Sequence, residues 1–299
     1  MNKRKACPAW AETLIIEEGL PDAYRHEMQT VVDPVARWIA TRHTERSRPV
    51  IIGLNGAQGA GKSTLALFLQ HWLIEESGLA TACLSLDDLY LGQADRHLLA
   101  NSEHPLLQTR GVPGTHDVRL GMQLLDRLTS PGASRDSVAL PVFDKAVDDR
   151  VPEHDWTVVD APVDIVLFEG WCVGARPEDV AALETPVNTL EELEDPDGAW
   201  RYFVNEQLGG AYAGLWERLD ALIMLRIPSF EMVFAWRALQ EEKLRQSAES
   251  LSAGQDEAEL ERFIRHYERL TCHMLATMPD YADLTIDIDA AHRMSVALA

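Results

Sequence analysis

One glycine-rich motif constrains the fold of this chain more than any other feature of its sequence. The pattern G-x-x-x-x-G-K-[ST] is filled by Gly56, Ala57, Gln58, Gly59, Ala60, Gly61, Lys62 and Ser63, and Thr64 follows. The apolar residues 50–53 predict a buried strand before the motif, and apolar residues at helical spacing follow it. A glycine-rich turn between a strand and a helix is the context in which this pattern binds a nucleoside triphosphate.

Each part of the motif has a physical role in that context. The glycines let backbone N–H groups point at phosphate oxygens, and the helix N-terminus adds about half a positive charge. Lys62 would reach the β- and γ-phosphates, and the Ser63 hydroxyl would bind Mg²⁺. The motif therefore predicts a nucleotide site with Mg²⁺ as cofactor.

Composition excludes several classes of protein. The chain has 299 residues, 46% of them hydrophobic, which suffices for one α/β domain with an appendage or for two domains. The formal net charge of −21 argues against a nucleic-acid or anionic-membrane surface, so an anionic substrate must meet a local basic cluster. The four cysteines form no C-x-x-C pair, and no apolar run reaches about 18 residues. We expect a cytoplasmic protein without a zinc site, a disulfide framework or a membrane span.

Strand and helix patterns alternate along most of the chain. Further buried strands are predicted at residues 80–86, 137–142, 164–168, 221–227 and 284–288. Such alternation indicates the α/β class: a P-loop NTPase fold with a mostly parallel sheet and helices on both faces.

The predicted organisation is an N-terminal helical extension, residues 1–48, followed by a P-loop domain, residues 49–299. Two stretches of that domain interrupt the alternation. Residues 175–219 are expected to form a solvated, acidic helical insertion. Residues 229–278 are helical and form either a lid over the nucleotide or a surface hairpin.

Paired carboxylates follow the second predicted strand. Asp87 and Asp88 lie in the run Leu84-Ser85-Leu86-Asp87-Asp88-Leu89-Tyr90, at the sheet edge where parallel sheets bind ligands. A small-molecule kinase needs a carboxylate there to orient the acceptor hydroxyl and take its proton. Because strand neighbours face opposite sides, Asp87 is favoured for this role, with Asp88 behind it or on Mg²⁺. The alternative is a pair of helix-capping carboxylates.

A second acid ends another apolar strand. The run Val166-Leu167-Phe168-Glu169-Gly170 has the form of a Walker B element, which holds Mg²⁺ directly or through water. The predicted metal ligands are therefore Ser63, Glu169 and Asp88. The alternative for Glu169 is a surface acid at the end of a strand.

Basic side chains in two loops are candidates for binding an anionic acceptor. Arg110 and His116 lie in a glycine-punctuated loop before a helix, and Lys145 and Arg150 follow the strand at 137–142. Arginine presents a planar fork suited to a carboxylate or phosphate. The alternatives are a histidine that fixes its own loop and a local ion-pair cluster with acidic neighbours.

Two more residues complete the set of candidates. Tyr90 is placed to contact the acceptor, and with Trp171 it is a stacking candidate if that acceptor is a nucleoside. Arg237, in the late helical region, would neutralise charge on the transferring phosphate; the alternative is an i,i+4 pair with Glu241.

The combination of segments resembles plant-type D-glycerate 3-kinases and their bacterial and fungal relatives, within the larger group of uridine kinase, phosphoribulokinase and bacterial pantothenate kinase. The resemblance is carried by GAQGAGKST (56–64), SLDDLY (85–90), RGVPGTHD (110–117), PVFDKAVDDR (141–150), LFEGWCVG (167–174) and WRALQE (236–241). It implies ATP- and Mg²⁺-dependent phosphate transfer to a small hydroxy compound. By position it also implies that Asp87 is the acceptor-orienting base, that Glu169 is the Walker B acid and that Arg237 is a lid arginine.

One segment departs from the family pattern. The family typically has a serine after the aspartate–lysine pair and a glycine-containing loop before the aspartate–arginine pair. Here Ala146 replaces the serine, and only Val147 and Asp148 separate it from Asp149-Arg150. The loop beside the acceptor is therefore shorter and lacks a hydroxyl.

The favoured interpretation is an ATP-dependent kinase for a small anionic hydroxy acid, with D-glycerate as the first candidate. The alternatives are a kinase for a nucleoside or a pantothenate-like acceptor, and a regulatory P-loop ATPase without a small acceptor. The chain has no N/T-K-x-D motif of the kind that reads guanine. The expected partners are ATP and the acceptor, without nucleic acid or membrane, in a monomer or homodimer.

Overall fold

A six-stranded sheet forms the centre of the molecule. The computed structural model describes residues 7–130, 136–236 and 257–298. Its strands are β1 (Val50–Gly56), β2 (Thr81–Ser85), β3 (Asp136–Leu140), β4 (Phe143–Asp144), β5 (Asp149–Arg150), β6 (Thr157–Ala161), β7 (Ile165–Gly170), β8 (Ala221–Arg226), β9 (Leu284–Ile288) and β10 (Met294–Val296). The order in the sheet is β10-β9-β8-β1-β7-β2, and every neighbouring pair is parallel except β9 with β10.

Helices connect the strands and cover the sheet. They are α1 (Ala9–Glu17), α2 (Tyr24–Glu27), α3 (Asp33–Arg46), α4 (Lys62–Ser77), α5 (Gln93–Ser102), α6 (Val118–Thr129), α7 (Thr189–Glu194), α8 (Ala199–Gly209), α9 (Ala211–Trp216) and α10 (Glu257–Thr277). Residues 231–236 are helical as well. None of the helices in the described ranges is both long and apolar enough to cross a lipid bilayer.

The two faces of the sheet belong to two apolar clusters because successive strand residues point to opposite sides. On one face, Ile52 and Leu54 of β1 pack with α1, α3 and α4. On the other face, Ile51 of β1 and Val166 of β7 pack with α6, α9 and α10. The predicted α/β P-loop fold, a mostly parallel sheet between two helical layers, is confirmed.

The N-terminal helices share the main core. Val35 and Ile39 of α3 are fully buried in the cluster that contains β1 and α4. The Trp72 indole of α4 donates to Asp33 at 3.1 Å, and the N–H of Met294 in β10 donates to Glu27 at 3.1 Å. Residues before 48 are thus packed against both the first helix of the P-loop domain and its last strand.

One predicted strand lies outside the main sheet. β3, within the predicted strand 137–142, pairs antiparallel with β6 in a separate two-stranded sheet. Along β3 only Val138 and Leu140 are buried, and they pack against α6. The prediction that β3 is a strand of the buried sheet was wrong. Its apolar residues alternate with polar ones, a pattern typical of a strand with one buried face, whereas a central strand of a parallel sheet is buried on both faces.

The acidic insertion is less solvated than predicted. Glu191 and Asp195 are fully buried, and each pairs with an arginine. Arg269 of α10 donates to Glu191 at 2.7 Å, and Arg201 of α8 donates to Asp195 at 2.9 Å. The Arg269–Glu191 pair ties residues 175–219 to α10, and the Arg201–Asp195 pair lies within those residues. Each buried carboxylate thus has a partner that neutralises its charge.

Candidate active site

The P-loop connects the end of β1 to the start of α4, as the motif predicts. Gly59 and Gly61 have φ angles of +79° and +83°, in the left-handed region that a side chain disfavours. The Ala57 carbonyl accepts from the Lys62 ammonium at 3.4 Å and from the Ala60 N–H at 3.2 Å. The Lys62 side chain therefore lies over its own loop. A bound nucleotide would offer it phosphate oxygens, which are stronger acceptors than the Ala57 carbonyl.

The outside of the P-loop rests on two aromatic side chains from distant parts of the sequence. His292, in the turn between β9 and β10, bonds the Gly59 carbonyl through Nε2 at 3.0 Å. Because a carbonyl only accepts, Nε2 carries the hydrogen. The Trp236 ring lies 3.9 Å from the His292 ring, and a Cβ atom on Gly59 would lie 3.1 Å from the Trp236 Cβ. Since a peptide unit is planar, His292 also orients the Ala60 N–H on the same unit.

Two of the three predicted magnesium ligands, Ser63 and Glu169, are in contact where β2 and β7 end side by side. Glu169 is 6% exposed, and its Oε1 accepts from the Ser63 hydroxyl at 2.9 Å and from the Ser85 hydroxyl at 3.0 Å. Hydroxyl and carboxylate oxygens are the ligands that Mg²⁺ prefers, usually completed by phosphates and water. The described residues contain no cluster of three or more His, Cys, Asp or Glu side chains that would form an all-protein cage. The donor set therefore fits Mg²⁺ bound together with a nucleotide. The sequence patterns missed Ser85.

Asp87 and Asp88 lie in a 3-10 turn, Leu86–Leu89, rather than on a strand. Their side chains still diverge, although not through the strand alternation invoked from the sequence. One Asp88 oxygen accepts from the Phe143 N–H at 3.0 Å and so supports β4. The pKa of Asp88 is raised to about 6, chiefly by burial and also by the charges of Asp87 and Glu169, although the hydrogen bond from the Phe143 N–H opposes the rise.

Both oxygens of Asp87 are engaged. Oδ2 accepts from the Lys145 ammonium at 2.6 Å, and Oδ1 accepts from the Tyr90 hydroxyl at 2.9 Å. Removal from water raises the pKa of Asp87, but the charges of Lys145 and Lys62 and the hydrogen bonds from Lys145 and Tyr90 outweigh it. The net result is a pKa below the ordinary value. Asp87 is thus ionised at neutral pH, as a general base must be.

Seven of the residues selected from the sequence line one cavity of about 90 Å³: Gln58, Lys62, Asp87, Tyr90, Arg110, Lys145 and Trp171. The cavity lies between the P-loop lysine and the Asp87 carboxylate. It therefore joins the residues predicted for the nucleotide to those predicted for the acceptor.

Aromatic residues close the other side of this cavity. Trp171 follows β7, and Phe263 and Tyr267 belong to α10. The Trp171 ring lies 4.8 Å from the Tyr267 ring, and the Tyr267 hydroxyl donates to the Arg110 carbonyl at 3.1 Å. Sequence reasoning missed Phe263 and Tyr267, because nothing near them in the sequence differs from an ordinary amphipathic helix.

Two predicted acceptor ligands, His116 and Arg150, do not line the cavity and instead contact Tyr90, which does. His116 stacks on Tyr90 at 4.6 Å and bonds the Tyr212 hydroxyl through Nδ1 at 2.6 Å. Burial lowers its pKa to about 3, so the ring is neutral. Arg150 donates to the Tyr90 carbonyl at 2.9 Å. Both residues hold Tyr90 in place. Arg237 lies outside the described residues, and its lid role stays a prediction.

Similarity to known proteins agrees with this geometry, although no protein-family model matches the chain. The uncharacterized kinase mug58 of Schizosaccharomyces pombe is 30% identical over 264 residues, which span 86% of this chain and 92% of that protein. This chain belongs to the P-loop kinases related to plant-type D-glycerate 3-kinase. The kinase is also 30% identical over 257 residues to the chloroplastic D-glycerate 3-kinase of Arabidopsis thaliana, with 81% of this chain and 53% of the plant protein aligned.

Solved structures show the same relationship. The D-glycerate 3-kinase of Cryptococcus neoformans superposes on this kinase with a TM-score of 0.74 at 26% identity, covering 88% of this chain and 97% of that one. The YGR205w protein superposes with a TM-score of 0.67, also at 26% identity. The resemblance read from the sequence is therefore confirmed, and the kinase is a phosphotransferase of this family.

Proposed function

We propose that this kinase transfers the γ-phosphate of ATP, with Mg²⁺, to a hydroxyl group of a small hydroxy acid, and that D-glycerate is the acceptor. The observation that carries the proposal is the cavity between Lys62 and Asp87, which also contains Arg110 and Lys145. It combines a phosphate-binding cation, a carboxylate base and two further cations for an anionic acceptor.

The size of the cavity favours an acceptor as small as glycerate. The cavity between Lys62 and Asp87 is small, at about 90 Å³. A nucleoside is several times larger and would need an aromatic face. Tyr90 offers none, because His116 stacks on it at 4.6 Å and Phe143 meets it edge-on at 5.3 Å.

The chemistry follows from the partners of Asp87. The acceptor hydroxyl transfers its proton to this carboxylate while its oxygen attacks the γ-phosphorus, and ADP leaves. Lys62 neutralises charge on the phosphates. When bound by Ser63 and Glu169, Mg²⁺ would neutralise the remaining phosphate charge. Arg110 is the candidate for the acceptor carboxylate, since a guanidinium binds a carboxylate through two parallel hydrogen bonds.

An acceptor hydroxyl reaches Asp87 only if one of the present partners leaves. Tyr90 is 4% exposed and held between other rings, whereas the Lys145 side chain is 59% exposed on the short β4–β5 hairpin. Lys145 is therefore the partner that moves, and its ammonium becomes available to the acceptor or to the transferring phosphate.

Replacing Lys145 with Met is expected to move the acid limb of the kcat/KM pH profile to higher pH. Lys145 lowers the pKa of Asp87, so its removal lets that pKa rise, and the base is then protonated at a higher pH. Activity rates measured from about pH 4 to 9 check this, with Lys145→Arg as the charge-preserving control. An unshifted or downward-shifted acid limb in the Met variant would contradict the pairing.

A panel of acceptors tests the proposal as a whole. ADP release should be fastest with D-glycerate, and glycerol, which lacks the carboxylate, should lose at least about two orders of magnitude in kcat/KM because it cannot form the hydrogen bonds to Arg110. Nucleosides, pantothenate and a reaction without acceptor complete the panel. The proposal would be refuted if only nucleosides were phosphorylated, or if ATP were hydrolysed at the same rate with and without an acceptor.

A further inference from the structure

The shortened loop after Lys145 places an aspartate directly behind Arg110. Asp148 lies in the β4–β5 turn, with a φ angle of +56° in the left-handed region. Its carboxylate pairs with two arginines, Arg96 and Arg110. We propose that Asp148 is a positioning residue, which orients Arg110 so that the guanidinium binds the carboxylate of the acceptor. The inference rests on the proposed function and concerns the part of the chain that departs from the family pattern.

Arg96 fixes Asp148 to the body of the protein. Arg96 is 1% exposed and donates to the Leu91 carbonyl at 2.6 Å and to the Gln108 carbonyl at 3.1 Å. It also donates to the Asp148 carbonyl at 3.1 Å and to Asp148 Oδ2 at 2.5 Å. A buried guanidinium with this many partners is rigid, so the carboxylate that it holds has a defined position.

The second oxygen of Asp148 holds Arg110. Oδ1 accepts from Arg110 Nη1, and the Arg110 guanidinium lies 5.6 Å from the Phe143 ring. Among the described residues, no other side chain or carbonyl accepts a hydrogen bond from this guanidinium. Arg110 lines the cavity that contains Asp87, and it also lines a neighbouring cavity of about 560 Å³ together with Asp148. Arg96, Asp148 and Arg110 form a chain of contacts that leads from the core to the acceptor.

This arrangement also defines the charge of the acceptor. Asp148 already balances the charge of Arg110. One carboxylate can share Arg110 with Asp148, whereas a second anionic group would meet the Asp148 charge at short range. The site is therefore suited to a monocarboxylate and disfavours dicarboxylic or phosphorylated hydroxy acids.

The simpler alternative is that Asp148 only neutralises Arg96. If Asp148 orients Arg110, the effect of replacing Asp148 requires Arg110; if Asp148 only neutralises Arg96, the effect is the same without Arg110. A double-mutant cycle therefore separates the two roles. Asp148→Asn is the suitable variant, because asparagine tolerates a positive φ and keeps an oxygen that accepts from an arginine. Arg110→Gln removes the guanidinium, and the double variant closes the cycle. Asp144→Asn is the matched control; it lies on the same hairpin, and its Oδ1 accepts from the Ala146 N–H at 2.8 Å.

Asp148→Asn is expected to raise KM for D-glycerate about tenfold, with kcat and KM for ATP within about twofold of wild type. In the Arg110→Gln background the same change should have no further effect on KM for D-glycerate. The ratio of kcat/KM for tartronate, a hydroxy dicarboxylate, to that for D-glycerate should rise in Asp148→Asn. Asp144→Asn should resemble wild type in each measurement.

Two results would overturn the inference. An unchanged KM for D-glycerate in Asp148→Asn would show that Arg110 needs no orientation. An equal loss with and without Arg110 would show that Asp148 acts through Arg96 and the fold. Failure of the proposed function gives a different result from these two, because the wild-type enzyme would then not phosphorylate D-glycerate at all. The inference about Asp148 would in that case be wrong as well.

Discussion

Replacing Asp87 with Asn should lower kcat by about two to four orders of magnitude while KM for ATP stays within about twofold. The amide has nearly the shape of the carboxylate and still accepts from the Tyr90 hydroxyl, which lies 2.9 Å from Asp87 Oδ1. It has no basic oxygen to take the proton of the acceptor hydroxyl. Steady-state kinetics with ATP and acceptor varied separately measure the loss, and calorimetry measures ATP binding.

The matched control is Asp95→Asn, an exposed carboxylate on α5, which should have wild-type kinetics. If Asp87→Asn keeps kcat within a few-fold of wild type, Asp87 is not the base. If ATP affinity falls as much as kcat, the carboxylate shapes the nucleotide site rather than the proton transfer.

Replacing Glu169 with Gln should lower activity without lowering the stability of the fold. Activity at moderate Mg²⁺ should fall by about two orders of magnitude, because the site loses the charge that holds the metal. The thermal midpoint of the nucleotide-free enzyme in EDTA should not fall. Glu169 is 6% exposed and accepts hydrogen bonds from the hydroxyl groups of Ser63 and Ser85, so its charge is buried without an ion pair among the described residues. Removing such a charge relieves a desolvation cost.

Rates over a range of Mg²⁺ concentrations and melting curves in EDTA measure the two effects. Excess Mg²⁺ should restore part of the lost activity in Glu169→Gln. Ser85→Ala is the companion variant, since it removes one hydrogen bond to Glu169 and keeps the charge. Joint loss of stability and activity in Glu169→Gln, without any response to Mg²⁺, would mean that the acid serves the fold.

The nucleotide side of the site was predictable because it is local in sequence. A P-loop needs its strand, its glycines and its lysine within a few residues, and Gly56–Lys62 join β1 to α4 as the motif requires. Glu169 was equally predictable, because an acid at the carboxyl end of an apolar strand lies at the same edge of the sheet as the P-loop. Ser85 escaped notice because its role depends on the register that pairs it with Glu169.

The acceptor side depends on contacts between elements that are far apart in sequence. His116 and Arg150 have side chains suited to an anion, but the fold turns both toward Tyr90. Tyr267, on α10, reaches the Arg110 carbonyl 157 residues earlier in the chain. Residue type identifies which groups can bind an acid, whereas packing between helices and loops decides which of them face the cavity.

The contact between His292 and the Gly59 carbonyl joins two parts of the chain that are made at different times. His292 is 233 residues from Gly59, whose carbonyl it holds. A ribosome therefore makes the phosphate-binding motif long before it makes the hydrogen-bond donor that orients it. Until the β9–β10 hairpin has joined the sheet, the Gly59–Ala60 peptide unit of a nascent chain lacks the bond from His292 and is held only by the bond from the Ala60 N–H to the Ala57 carbonyl. We therefore expect the P-loop to reach its final conformation only after residues near 292 have been synthesised, although the motif itself lies at residues 56–63.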